Sequence, residues 1–239
     1  FSDLDQMPKG LLLWRGLLQW LGGIGIIVVA MVFLPELRVG GMQIFRSEGF
    51  DTFGKILPRA TEISSRISSI YLFLTMSCAA AYMLSGMTAF DATVHAMTTI
   101  ATGGFANYDA SFAAFEGASA SVAIVFMILA ALPFVRFVQM TAGTARPLLH
   151  DSQIRFFLKT TVFIIAGLTA WRVIHDGVTT VAGVRDVVFN VVSILTGTGY
   201  ASSDYMLWGG LPVTVLFFVG LIGGCAGSTS CSIKVFRYQ

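Results

Sequence analysis

The sequence predicts an all-α polytopic membrane protein made of repeated units. Three observations carry that prediction. The chain of 239 residues is 55% hydrophobic and only 12% charged, with a mean hydropathy of +0.77. A soluble domain carries about 25% charged residues, so lipid is the expected solvent. Five stretches approach the roughly 20 apolar residues that a spanning helix needs. Two shorter apolar stretches each run directly into a Gly/Thr-rich loop.

The first span is predicted over Leu11–Leu34, with Arg15 near its start, and residues 1–34 read as the closing helix of an earlier repeat. Residues 35–66 are polar and of mixed charge, a cytosolic connection. The second span covers Ile67–Leu84. A short apolar segment, Phe90–Ala101, then meets a loop at 101–105. The third span, Ser119–Met140, contains Pro133, which predicts a mild break because proline lacks the N–H a helix interior uses. Residues 143–153 form a second cytosolic connection. The fourth span is Ile154–Ile174, followed by a short segment, Val187–Leu195, and a loop at 196–200. The fifth span, Leu211–Phe236, is interrupted by GGCAGSTSCS, residues 223–232. Each short segment extends roughly 14–18 Å as a helix, against a hydrocarbon core of about 30 Å. Each must enter and return.

The order of long helix, half helix, glycine loop and long helix therefore occurs twice, over 67–142 and 154–239. Superimposing the loops aligns Gly104-Phe105-Ala106 with Gly199-Tyr200-Ala201 and Asp109 with Asp204, a register of 95 residues.

Basic residues set the orientation. Arg38, Arg46, Lys55, Arg59 and Arg66, then Arg136, Arg146, Arg155 and Lys159, then Lys234 and Arg237 fall on one side, the cytoplasm. The other side has Lys9, Arg15, Arg172 and Arg185. Both glycine loops are thus expected to open to the outside.

Non-helical backbone at membrane depth is tolerated only where protein buries it or it lines a wet cavity. A dehydrated cation can supply partners for such carbonyls, as in the filters of potassium channels. Glycine lets the backbone turn, and the C-terminal end of a short helix favours a cation. No Lys or Arg occurs from Ile67 to Val135 or from Asp186 to Ile233, while Asp109, Glu116 and Asp204 fall near the outer mouth. This predicts helix–pore loop–helix units of potassium-channel-like type. Ala101, Thr102, Gly103, Gly104, Thr196, Gly197, Thr198 and Gly199 are the ion-binding filter candidates, through their backbone, and Phe105 and Tyr200 the supporting aromatics. The competing reading is that these glycines only permit close helix packing. The stretch Gly223, Gly224, Cys225, Ala226, Gly227, Ser228, Thr229, Ser230, Cys231 and Ser232 makes a poor continuous helix. It is expected to be a movable constriction below the filter; a small-residue packing face is the alternative.

Other chemistry finds less support. The net charge of +2 and the lack of a basic run argue against nucleic acid. Cys78, Cys225 and Cys231 match no zinc or redox spacing and read as small packing residues. His95 follows Asp91 by four residues and could bond it across one helical turn; a structural role fits it better than catalysis. No intramembrane carboxylate pair or metal cluster suggests an enzyme, and no organic cofactor is expected.

The stretches LLQWLGGIGI (17–26), HAMTTIATGGF (95–105), TGTGY (196–200) and GGCAGSTSCSIK (223–234) resemble the Trk/Ktr/HKT superfamily of potassium transporters, and within it the bacterial TrkH branch. The resemblance implies four helix–pore loop–helix units around one pore, of which this chain holds the second and third. The first and fourth repeats then lie elsewhere in a longer protein. It further implies potassium as the transported ion, Gly104 and Gly199 as filter glycines, and 223–232 as an intramembrane gating loop. A bacterial inner-membrane location, a homodimer and a cytosolic nucleotide-binding ring, TrkA, also follow from it. One departure is Cys231-Ser232, where such proteins usually carry two glycines. The runner-up reading is a secondary transporter with a midplane cation site on broken helices.

Overall fold

The computed structural model describes residues 3–28, 60–115, 117–141, 143–144 and 146–239. The end of the first predicted span, residues 35–59 of the first connection (with Arg38, Arg46, Lys55 and Arg59) and Glu116 lie outside the described residues. Among the described residues the chain is helical and has no strand; its one extended pairing is an isolated parallel bridge between Ile222 and Ile233.

The α-helices among the described residues are, in order, α1 Lys9–Val28, α2 Ala60–Leu84, α3 Ala89–Ile100, α4 Gly117–Ala130, α5 Phe134–Thr141, α6 Arg146–His150, α7 Ser152–Asp176, α8 Val181–Leu195 and α9 Gly210–Val219. The segment Ser64–Leu84 within α2 and all of α7 are long and apolar enough to cross a membrane. Their outer faces suit lipid: Leu72, Phe73 and Met76 on α2, and Val162 and Phe163 on α7, are exposed.

The two short helices are closely enclosed. On α3, Ala92, Val94, His95, Ala96, Thr98, Thr99 and Ile100 are all buried; on α8, so are Val187, Phe189, Asn190, Val191, Val192, Ser193 and Leu195. Side-chain caps fix their starts. The Thr88 hydroxyl accepts from the Asp91 N–H, and the Thr180 hydroxyl accepts from Gly183, satisfying donors that a helix start leaves open. α3 matches its expected span to within a residue. α8 begins six residues earlier than expected, at Val181. Arg185 and Asp186 interrupt the hydropathy there, but not the helix that Thr180 caps.

Two breaks differ from expectation in degree. The third span bends by 87° between α4 and α5, a corner where a mild break was expected. Pro133 removes one helical donor, and the freed carbonyls find partners outside the helix. Thr229 donates to Ala130 O at 3.1 Å, and the Cys225 N–H donates to Ala131 O at 2.9 Å. In the fifth span, helix persists only over Gly210–Val219. From Gly220 to Lys234 the backbone is irregular, and a short 3-10 turn, Val235–Tyr238, ends the chain.

Candidate functional site

The two glycine turns have the same backbone. Helix α3 ends at Ile100 and α8 at Leu195, with Ala101 and Thr196 as their C-caps. Thr98 O accepts from the N–H groups of Gly103 at 2.9 Å and Gly104 at 3.4 Å. In the same register, Ser193 O accepts from Thr198 at 2.9 Å and Gly199 at 3.2 Å. Left-handed φ falls at Thr102 (48°) and Gly104 (72°), and again at Gly197 (72°) and Gly199 (84°), with Gly103 and Thr198 between them on the ordinary side. Backbone that alternates hand turns successive peptide groups toward a common side. One hydroxyl braces each turn from within: Thr98 Oγ1 donates to Phe105 O at 2.9 Å, and Ser193 Oγ to Tyr200 O at 2.7 Å.

The turns also meet. An ideal Cβ on Gly104 would lie 1.9 Å from Thr198 O and 3.2 Å from the Gly199 carbonyl carbon. Tyr200 ties the two together from behind. Its buried hydroxyl bonds Thr98 Oγ1, reaches Thr99 Oγ1 at 3.3 Å and donates to His95 O at 3.2 Å. Phe105, the residue in equivalent register, is 40% exposed and lies under the Arg15 guanidinium at 4.7 Å. The two aromatics therefore do different work.

A second matched feature holds the segment that follows each turn. His95 Nδ1 bonds Asp91 O at 2.8 Å, and the Asn107 N–H points to His95 Nε2 at 3.4 Å. In the other unit, Asn190 Nδ2 donates to Asp186 O at 2.9 Å, and the Ser202 N–H points to Asn190 Oδ1 at 3.4 Å. His95 thus bonds the backbone of Asp91 across one turn. The Asp91 carboxylate instead accepts from Asn107 Nδ2 (2.8 Å), Thr88 (2.7 Å) and Tyr108 (3.1 Å). Burial and this carboxylate push the Tyr108 hydroxyl above its ordinary pKa. The two outer acids are spent locally: Asp109 accepts from the Leu4 N–H and Asp204 from the Met206 N–H.

The 223–232 segment lies against the second turn and the end of α3. Ser230 Oγ donates to Thr196 O at 2.7 Å and Cys231 Sγ lies 3.6 Å from Gly197 O. Thr229 Oγ1 donates to Ile100 O at 3.0 Å. Other bonds close the segment on itself and on the bend of the third span. Gly224 N–H donates to Ser230 Oγ, Ser228 Oγ to Cys225 O, and Phe134 N–H to Gly227 O. Gly223 and Gly224 are needed for space, since a Cβ would fall 2.1 Å from Cys231 O and 2.8 Å from Ala131 O respectively. Gly227 (φ 76°) and Ser232 (φ 64°) are left-handed, whereas Ala226 donates its N–H to Gln153 Oε1 at 3.1 Å. Cys78 and Cys225 are buried as expected of packing residues, but Cys231 is exposed.

Three contacts were not foreseen from sequence. Lys234, placed in the cytosolic flank by its charge, sends its ammonium back to Ser230 O. Arg136, placed on the cytosolic side by its charge, pairs with Asp151 at 2.7 Å, and Asp151 also caps α7 through the Gln153 and Ile154 N–H groups. Gln19 on α1 reaches the first glycine turn. Arg136 and Gln19 meet partners 15 and 84 residues away, and Lys234 folds back over only four residues, so neither spacing nor charge announces them. Among the described residues no group of His, Cys, Asp and Glu could hold a metal ion through side chains.

Comparison with known proteins gives a consistent result. A family model described as TrkH, cation transport protein, matches residues 1–238. The Trk system potassium uptake protein TrkI of Halomonas elongata is 45% identical over 238 residues, covering 99% of this chain and 48% of that protein. The Trk system potassium uptake protein TrkH of Escherichia coli K12 is 35% identical over 242 residues, covering 98% of this chain and 50% of that protein. The crystal structure of the potassium transporter TrkH from Vibrio parahaemolyticus superimposes with a TM-score of 0.86 at 34% identity, over 99% of this chain and 48% of that one. The chain thus spans about half the length of the relatives it matches. With a matching family model along its whole described length, paired glycine turns on half-length helices and a helical fold shared with a solved relative, this chain belongs to the TrkH family of cation transport proteins.

Proposed function

We propose that this chain supplies two of four filter turns around a potassium-conducting pore, residues 67–142 forming one pore repeat and 154–239 the next. The observation that carries this reading is the pair of turns at Gly104 and Gly199. They share one hydrogen-bond pattern in a 95-residue register and touch at Thr198 O. The carbonyls of Ala101 to Gly103 and Thr196 to Thr198 take the place of the ion's water. The ends of α3 and α8 add negative dipole near it. Residues 223–232 act as the gate, because they sit on the filter's own carbonyls. Potassium as the ion is supported by the names of the relatives, all potassium transport proteins.

The pore is completed by first and fourth repeats that belong to the rest of the protein, since two quarters of a filter cannot ring an ion. The basic flanks support a bacterial inner-membrane location with both turns open to the outside. A homodimer resting on a TrkA-like nucleotide-binding ring follows from the family alone.

The test is rubidium-86 uptake by the full-length protein in liposomes, with Gly104→Ser and Gly199→Ser as variants. The first should abolish selective uptake and the second should weaken it. Unaltered flux and unaltered potassium-over-sodium preference in both would remove the filter assignment.

A further inference from the structure

Resting on the filter reading above, we infer that Gln19 is a positioning residue whose side-chain amide clamps the first filter turn and thereby sets the preference for potassium over sodium. The clamp has two points. Gln19 Nε2 donates to Gly103 O at 2.6 Å, and Gln19 Oε1 accepts from the Phe105 N–H at 3.2 Å. The planar amide therefore spans Gly104, the residue that touches the second turn.

Helix α1 is seated so that Gln19 cannot fall elsewhere. Gly16 and Gly23 flank it at helical spacing on the same face. A Cβ at Gly16 would be 3.0 Å from Val94 Cγ1, and one at Gly23 would be 2.7 Å from Tyr71 Oη and 3.0 Å from Ala101 Cβ. These glycines let α1 lie directly on α3. The neighbouring Trp20 locks the rotation, its indole Nε1 donating to Thr75 Oγ1 at 3.0 Å and its backbone carbonyl accepting from the Tyr71 hydroxyl at 2.9 Å. Gly103 completes the fit. Its φ is not left-handed, so its freedom is not needed for the turn; what it supplies is room, since a Cβ there would lie 2.0 Å from Gln19 Cδ.

A filter discriminates among cations by the separation and field of its oxygens. Gly103 O is one of those oxygens, and an amide N–H donated to it fixes its direction and weakens its field. A turn pinned at both ends resists closing onto the smaller ion. Gln19→Met keeps the side chain's length without its hydrogen bonds. Gln19→Glu replaces the donor with an oxygen that repels Gly103 O.

The experiment uses the full-length protein in liposomes, with potassium and sodium uptake measured for wild type, Gln19→Met and Gln19→Glu. Amide hydrogen exchange is followed over 103–105, with 196–200 as internal control. Loss of one to two hydrogen bonds should lower the potassium-over-sodium preference by about three- to tenfold, with faster exchange confined to 103–105. Unchanged preference, unchanged exchange at 103–105, or exchange that quickens equally in both turns would each overturn the assignment. Wild-type liposomes that take up no potassium would instead defeat the proposed function, while the exchange measurement still decides whether the clamp exists.

Discussion

The carbonyl oxygen of Thr198 occupies the space next to Gly104 into which any side chain would project, 1.9 Å from the ideal Cβ. The equivalent glycine, Gly199, has open space around its own Cβ position and is constrained only by its φ of 84°. The two turn glycines are therefore unequal. Alanine at 199 should cost about 1–2 kcal/mol of backbone strain and leave measurable rubidium uptake. Alanine at 104 must push the two turns apart and should abolish uptake. Equal loss in both variants would show that left-handed backbone alone, and not the contact between turns, is what each glycine provides.

Thr102 and Gly197 occupy equivalent places, both left-handed, yet only one is glycine. Thr102→Gly removes roughly 1–2 kcal/mol of local strain and should preserve uptake, or slow thermal inactivation. The converse, Gly197→Thr, drives a Cβ to within 2.2 Å of Cys231 Sγ and should eliminate transport. Thermal inactivation and flux of the two proteins, side by side, check the asymmetry.

Lys234 tethers the proposed gate segment by donating to Ser230 O, and Ser230 in turn donates to Thr196 O. Lys234→Met removes a charge-assisted bond of roughly 1.5–3 kcal/mol. It should raise basal uptake and speed labelling of the exposed Cys231 by a thiol reagent, while Cys78 and Cys225 stay protected. If Cys231 labels no faster, the ammonium does not hold the segment in place.

Asp151 has two duties, pairing with Arg136 and capping α7. Asp151→Asn retains a capping oxygen and loses the ion pair. Asp151→Ala loses both, with the cap alone worth about 1 kcal/mol. Half-inactivation temperature in detergent should fall in the order wild type, Asn, Ala. A variant series with no such order would mean the pair is idle.

Much of this arrangement was legible in the sequence because it is local and repeated. Phe90–Ala101 is too short to span, and the glycines after it recur after Leu195, so two matched turns after two short helices could be read directly. The break at 223–232 was legible for the same reason, since ten small or polar residues cannot sustain a helix. What escaped depended on distance or on geometry. Pro133 marks a break, but its 87° angle arises because Thr229 and Cys225 capture the carbonyls of Ala130 and Ala131. Gln19 looked like one polar residue on a spanning helix until α1 was seen lying on α3. Lys234 carries the same charge whether it points to the cytosol or folds back, so the positive-inside bias could not separate the two.

The bond from Ser230 to Thr196 O has a consequence for thermodynamics as well as for architecture. Under the proposed filter reading, the same peptide oxygen serves both this segment and the permeating ion, so the two occupancies are linked free energies. By reciprocity, whatever factor the ion contributes to the resting position of 223–232, that position returns to the affinity for the ion. On that reading, a conformation that releases Thr196 O would hold the ion with a different dissociation constant from one that keeps the bond, and external ion concentration would become an input to the equilibrium between them.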